Sequence, residues 1–208
     1  VAAAITGGLL ITQYYEGPST NKWIEITNIS SSSIDLAAGG YYLGLFGNAN
    51  AEDYKINLSP ANSLALSGTL TAGQSLLLGN TGNTTPGYAD VYTPLIDNNS
   101  VINFNGNDSI VLYTTPTFAT SNIVDAIGFT NSGNEGVDKA FVRASTSAGY
   151  NTTAGSDVLD FGSVWTEVTN ATVDGALAGT DNRLGYSSLT GGGAATIVVG
   201  SDATGSSA

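Results

Sequence analysis

The stretch Trp23-Ile24-Glu25-Ile26-Thr27-Asn28-Ile29 carries the pattern that decides the fold. Ile24 and Ile26 alternate with polar neighbours, the period of a strand with one buried face. Outward from it, the same pattern recurs in Leu9–Tyr15, Tyr41–Phe46, Leu64–Leu70, Ser75–Leu78, Ser109–Tyr113, Ile123–Phe129 and Ala140–Arg143. These runs are short, rich in β-branched or aromatic residues, and bounded by Gly, Asn, Ser or Pro. The stretches Gly79–Gly87 and Asn131–Gly136 between them have turn composition. No window sustains a helical period with capping residues at both ends. Many short strands at this spacing predict an all-β chain folded as a sandwich.

Composition narrows the chemistry. The 208 residues hold 17 Asp and Glu against 5 Lys and Arg, a net charge of −12, yet only 11% are charged and 41% are hydrophobic. That hydrophobicity is too high for an acidic disordered tail. With no His or Cys, the chain lacks the residues for a Cys/His zinc site, a disulfide framework, a cysteine nucleophile or a serine–histidine–acid triad. Acid–base chemistry would rest on Asp, Glu, Lys or Tyr alone. Lys22, Lys55, Lys139, Arg143 and Arg183 are scattered, and the negative field repels nucleic acid, so no nucleic-acid partner is expected. No apolar run approaches the roughly 20 residues of a membrane-spanning helix. The start at Val1, with no charged-then-apolar leader, and the absence of Cys and Met lead us to expect an exported chain at the cell surface.

Three regions differ in character. Residues 1–7 are small and apolar, an N-terminal segment that includes Ile5. Residues 8–187 hold the strand-rich body, and after Ser145 the strand signal thins. There Phe161, Val164, Trp165 and Leu184 supply core-type side chains, so an extended C-terminal arm wrapping the sandwich is expected. Residues 188–208 contain the hinge Gly191-Gly192-Gly193 and the uncharged run Ala194-Ala195-Thr196-Ile197-Val198-Val199. This run reads as a terminal β-strand, able to return to its own sandwich or to add to a neighbouring subunit's sheet. Burying Ile197, Val198 and Val199 is worth at most about 5–9 kcal/mol. Ordering six backbone residues costs about 6–12 kcal/mol, so docking also needs ladder hydrogen bonds and further packing. The expected interface residues are therefore Ile5 and Ala194, Ala195, Thr196, Ile197, Val198 and Val199.

The order of several motifs resembles the lamin-tail domain family, whose fold is an immunoglobulin-like β-sandwich. The opening Leu10-Ile11-Thr12-Gln13-Tyr14-Tyr15-Glu16-Gly17-Pro18-Ser19-Thr20-Asn21-Lys22-Trp23-Ile24-Glu25-Ile26-Thr27-Asn28 is similar to the family's first hairpin. Ile34-Asp35-Leu36 with Tyr41-Tyr42-Leu43, Leu70–Leu76, Phe104–Leu112, Ile123–Gly128 and Lys139–Ser145 follow in the family's order. Phe161 with Trp165 resembles the tryptophan-bearing tail of many bacterial members. Two departures bear on an ion site: Asn107 stands where many members carry Asp, and Leu184–Ser188 lacks a His often found there. The resemblance covers residues 8–187 and implies a non-catalytic adhesion or assembly module rather than an enzyme.

The candidate sites are few. The acidic pairs Glu52/Asp53, Glu135/Asp138 and Asp157/Asp160 lie in turn-like stretches and read as solvated acids rather than a glycosidase pair. No cofactor is expected; among metals calcium alone suits the available oxygen ligands, at Asp97-Asn98-Asn99-Ser100 or Asn103–Asp108. The competing account of both is a turn capped by its own side chains. Seven Asn-x-Ser/Thr sequences occur, at Asn28, Asn57, Asn83, Asn98, Asn107, Asn151 and Asn170, so glycosylation is open on a surface protein. Glu16, Lys22 and Glu25 are expected to pair at the rim of the first hairpin. The doublets Tyr14-Tyr15 and Tyr41-Tyr42 place one ring on each strand face. The leading expectation is a homopolymeric subunit of an extracellular filament or surface layer. The alternative is a carbohydrate- or calcium-dependent adhesion module of a larger surface protein, with a cell-surface glycan as partner.

Overall fold

The computed structural model describes residues 8–80, 100–129, 134–147, 150, 163–177 and 179–190. Its strands are β1 (Leu9–Glu16), β2 (Lys22–Asn28), β3 (Ile34–Asp35), β4 (Tyr41–Phe46), β5 (Asn62–Ala65) and β6 (Thr69–Leu70), then β7 (Ser75–Gly79), β8 (Ser109–Thr114), β9 (Ile123–Ile127), β10 (Lys139–Arg143) and β11 (Trp165–Thr169). A short helix α1 (Asn170–Asp174) follows β11, its first turn capped by the Thr169 hydroxyl, which accepts the Thr172 N–H. A five-stranded sheet runs β11-β10-β1-β2-β7, a four-stranded sheet β5-β4-β8-β9, and β3 pairs with β6 alone. Every strand pairing among the described residues is antiparallel.

The core lies where the two larger sheets face each other, and two irregularities shape it. A register shift between Ile11 and Gln13 interrupts the β1–β2 pairing. Strict alternation would send Ile11 and Tyr14 to opposite faces, but the bulge brings Leu9, Ile11 and Tyr14 into one core. The Tyr14 ring there lies 4.5 Å from Phe104, 5.4 Å from Phe129 and 5.8 Å from Phe141. A second shift, in the β8–β9 pairing between Leu112 and Tyr113, lets Val124 and Ile127 share that core while Ile123 and Ala126 face outward.

Both outer faces are covered as well. Over the five-stranded sheet, Val173 of α1 and Leu184 of the arm pack on Tyr15, Trp23, Leu77 and Ala140. The expected half-buried β2 is therefore buried along its whole length, because the arm seals the face that alternation assigned to water. Of the predicted arm residues, Val164, Trp165 and Leu184 are buried, and Phe161 lies outside the described residues. Trp165–Thr169, read as wrapping arm, is a strand hydrogen-bonded to β10. The predicted strand Leu64–Leu70 is broken in two: Leu66-Ser67-Gly68 leads the chain from β5 in one sheet to β6 in another, with Gly68 at a φ of +94°.

Among the described residues, one ionic contact joins the sheets. Asp125 of β9 and Arg143 of β10 form an ion pair with both side chains fully buried. β10 pairs with β1 only over Gln13–Tyr15, so Ile11 has no strand neighbour from β10. The Asp125 carboxylate accepts the Ile11 N–H at 2.8 Å, and Arg143 Nε donates to the Ile11 carbonyl at 2.7 Å. The guanidinium also donates to the Ser147 carbonyl at 2.6 Å and lies 4.6 Å from the Trp165 ring centroid. Removing one member of such a pair strands a buried charge. Asp125→Ala is expected to cost about 3–5 kcal/mol in urea denaturation, and Asp125→Asn, which keeps an acceptor for Ile11, distinctly less.

Candidate functional site

Glu25, expected in an ion pair at the rim of the first hairpin, is fully buried. Glu25 projects from β2 under the arm. It accepts a hydrogen bond from Thr12 Oγ1, and Thr12 continues to Thr27 at 2.6 Å and Thr27 to Ser75 at 2.8 Å. Its other oxygen accepts the Gly185 N–H of the arm, and beside it Gln13 Nε2 donates to the Asn182 carbonyl at 3.1 Å. Burial pushes the Glu25 carboxyl up to about 7; bonds from Thr12, Gly185 and Tyr186 pull it down, and the Asp181 charge adds to the rise. Glu25 thus fastens the arm to the sheet. An acid at the centre of an alternating strand was the available signal, and the sequence alone did not reveal what covers it.

At the hairpin end, Lys22 and Glu16 pair as expected, but the pair is buried rather than on the rim. Lys22 Nζ also donates to the Gly17 carbonyl at 2.9 Å, and Glu16 accepts the Asp138 N–H. Glu25 takes no part in this pair; its carboxylate is held by Thr12 and Gly185, under the arm. Tyr15 hydroxyl donates to Asp174 of α1 at 3.0 Å, and burial raises its phenol well above the ordinary value.

The remaining candidates fall into place around these. In the stretch Asn103–Asp108, the Asp108 oxygens accept the Asn48 N–H at 2.6 Å and the Asn105 N–H at 2.8 Å. The Asn105 bond is the self-capped turn, the Asn48 bond ties it to the segment after β4, and burial shifts the Asp108 carboxyl upward. Glu52 pairs with Lys55 at 2.8 Å. No group of three or more Asp, Glu, His or Cys among the described residues is placed to hold a metal ion. Asn28 is fully buried, its amide donating to the Ser32 and Leu70 carbonyls, so that position is closed to a glycan. Residues Asp97-Asn98-Asn99, Asp157 and Asp160, and the expected interface residues Ile5 and Ala194–Val199, lie outside the described residues.

Both tyrosine doublets straddle their strands. Tyr14 faces the core and Tyr15 the arm, while Tyr41 faces the core and Tyr42 the outer face of the four-stranded sheet. Tyr42 is half-buried and stacks on Tyr113 at 5.6 Å. Next to them a shallow hollow of about 220 Å³ is lined by Ser59, Pro60, Ser63, Tyr113, Pro116, Thr117 and Phe118.

Two facing antiparallel sheets with strand-switching connections and polar groups used as fasteners define an immunoglobulin-like β-sandwich module. The Lamin Tail Domain family matches residues 2–139, and the chain belongs to that family. β11, α1 and the arm lie beyond the matched span. A solved structure of a DUF4876 family protein from Bacteroides thetaiotaomicron is similar at 13% identity and a TM-score of 0.42, over 65% of this chain and 62% of that one. No match is found among curated proteins. No helix among the described residues is long and apolar enough to cross a membrane.

The Glu25 environment dictates a pH dependence. Between pH 4.5 and about 7 the folded chain keeps a proton that the unfolded chain has released. Stability therefore falls as pH rises through that window, by roughly 3 kcal/mol in all. Urea denaturation at pH 5 and pH 7.5 should show this loss, and Glu25→Gln should flatten most of it.

Proposed function

We propose that the chain is a non-enzymatic structural subunit of a prokaryotic extracellular filament or surface layer, joined head to tail through terminal strand addition. The observation that carries this reading is the use made of the buried charges. Asp125 with Arg143, Glu16 with Lys22, and Glu25 each hold one segment of the chain to another. Their hydrogen bonds are satisfied by the fold itself, and such groups serve as architecture rather than reacting centres. The family is in general non-catalytic, which agrees. An outer surface of mostly neutral polar residues under a net charge of −12 limits nonspecific sticking while leaving neutral surface for subunit contacts.

A carbohydrate-binding adhesion module is the second reading, and one observation favours it: Tyr42 is half-buried and stacked on Tyr113 beside the hollow. Glycan-array binding that is lost in Tyr42→Ala would establish it.

Light scattering and negative-stain microscopy across a concentration series test the assembly reading. Long, regular polymers are expected from the full chain, and loss of at least most polymer on deleting residues 190–208. A strictly monomeric chain at high concentration would defeat it.

A further inference from the structure

The two larger sheets end in four edge strands, and three of them are closed or protected. β9 is buried along its length, with Asp125 drawn to Arg143 and Ile11. β7 is likewise buried throughout. β11 carries exposed Glu167, paired with Lys139 at 3.0 Å, and charge on an edge discourages strand addition. β5 differs from all three: Asn62, Ser63 and Ala65 are exposed, Leu64 is half-buried, and none is charged. No charged residue occurs from Ile56 to Asn80. Ahead of the strand, Ile56 is 57% and Leu58 49% exposed, large apolar side chains left in water.

The hollow lies on the other side of this strand, over Gly44 of β4, where Ser63 of β5 and the preceding Ser59 and Pro60 form one wall, with Tyr113, Pro116 and Phe118 opposite. The free side of β5 is an open, uncharged edge, the surface that strand addition uses, where main-chain bonds supply affinity and alternate side chains select the partner.

We propose that β5 is the acceptor edge for Ala194–Val199 of a second copy of this chain. This assignment rests on the assembly reading and adds the receiving surface to it. Strand and edge match in charge. Ala194–Val199 is uncharged, as is the chain from Ile56 to Asn80, so two strongly acidic copies meet where neither carries charge. They match in pattern too, since a strand with Ile197 and Val199 on one face presents two branched side chains two residues apart, and Ile56 and Leu58 ahead of β5 leave two apolar side chains exposed at the same spacing.

The absence of native cysteine makes the test direct. Ser63→Cys chains are mixed with chains carrying Thr196→Cys, Ile197→Cys or Val198→Cys in turn, oxidised at assembly concentration and resolved under non-reducing conditions. Disulfide-linked heterodimers are expected from at least one pairing, and ladders of multimers from the matching double variant. Ser63→Lys, on an exposed side chain and checked by circular dichroism for folding, should raise the concentration at which polymers appear about tenfold or more. Polymers that form without these disulfides and ignore Ser63→Lys would overturn the β5 assignment while leaving assembly intact. Disulfide closure within a monomeric double variant would show the chain's own tail on β5 and overturn the exchange. No polymer from the unsubstituted chain would defeat the assembly reading itself.

Discussion

The pairing of Asp125 with Arg143 is the constraint on which the rest of the sandwich depends. β1 belongs to the five-stranded sheet, but its first half outruns β10, leaving the Ile11 peptide groups facing a gap. Unpaired buried backbone groups cost too much to leave bare. Here a carboxylate and a guanidinium take the place of a missing strand, one accepting the Ile11 N–H and the other donating to its carbonyl. Because Asp125 sits on β9 and Arg143 on β10, the same pair sets the two sheets against each other. Trp165 then packs on the guanidinium and carries β11 into position. A buried ion pair is seldom a large source of net stability; its value lies in excluding other arrangements once its bonds are all made.

The second theme is burial on both sides of a sheet. The bulge in β1 sends Leu9, Ile11 and Tyr14 to the inner core and leaves Gln13, Tyr15 and Thr12 for the outer face. That face is then roofed by α1 and the arm, whose attachments alternate between apolar and polar: Val173 and Leu184 pack, while Glu25 and Gln13 hydrogen-bond Gly185 and Asn182. The family match ends at residue 139, so this roof is supplied by residues beyond it. Roofing a sheet face removes sticky surface, and the strand left open, β5, becomes the more conspicuous.

The strand pattern was legible in the sequence because alternation and turn residues act over only a few positions. Seven of the eight predicted runs appear with nearly the predicted limits, and both tyrosine doublets straddle their strands. The miss at Leu64–Leu70 has a local cause, since a continuous apolar alternation does not reveal that Gly68 turns the chain into a different sheet. Trp165–Thr169 reads as arm because its Thr166, Glu167 and Thr169 are exposed, and an edge strand facing water lacks the apolar rhythm of a covered one.

The local sequence by itself determined which residues extend, where they turn and that they form an all-β sandwich, since these depend on side-chain period and backbone preference. It also determined a chemistry without histidine or cysteine, and an acidic but weakly charged surface. Only the tertiary structure decided which carboxylates are buried. Glu25 and Asp125 are set among apolar neighbours much as any strand acid is, and their environment comes from segments 160 and 18 residues away. Burial, and with it the shift of an acid's proton affinity, is a property of what packs above a residue. That is settled when distant strands meet.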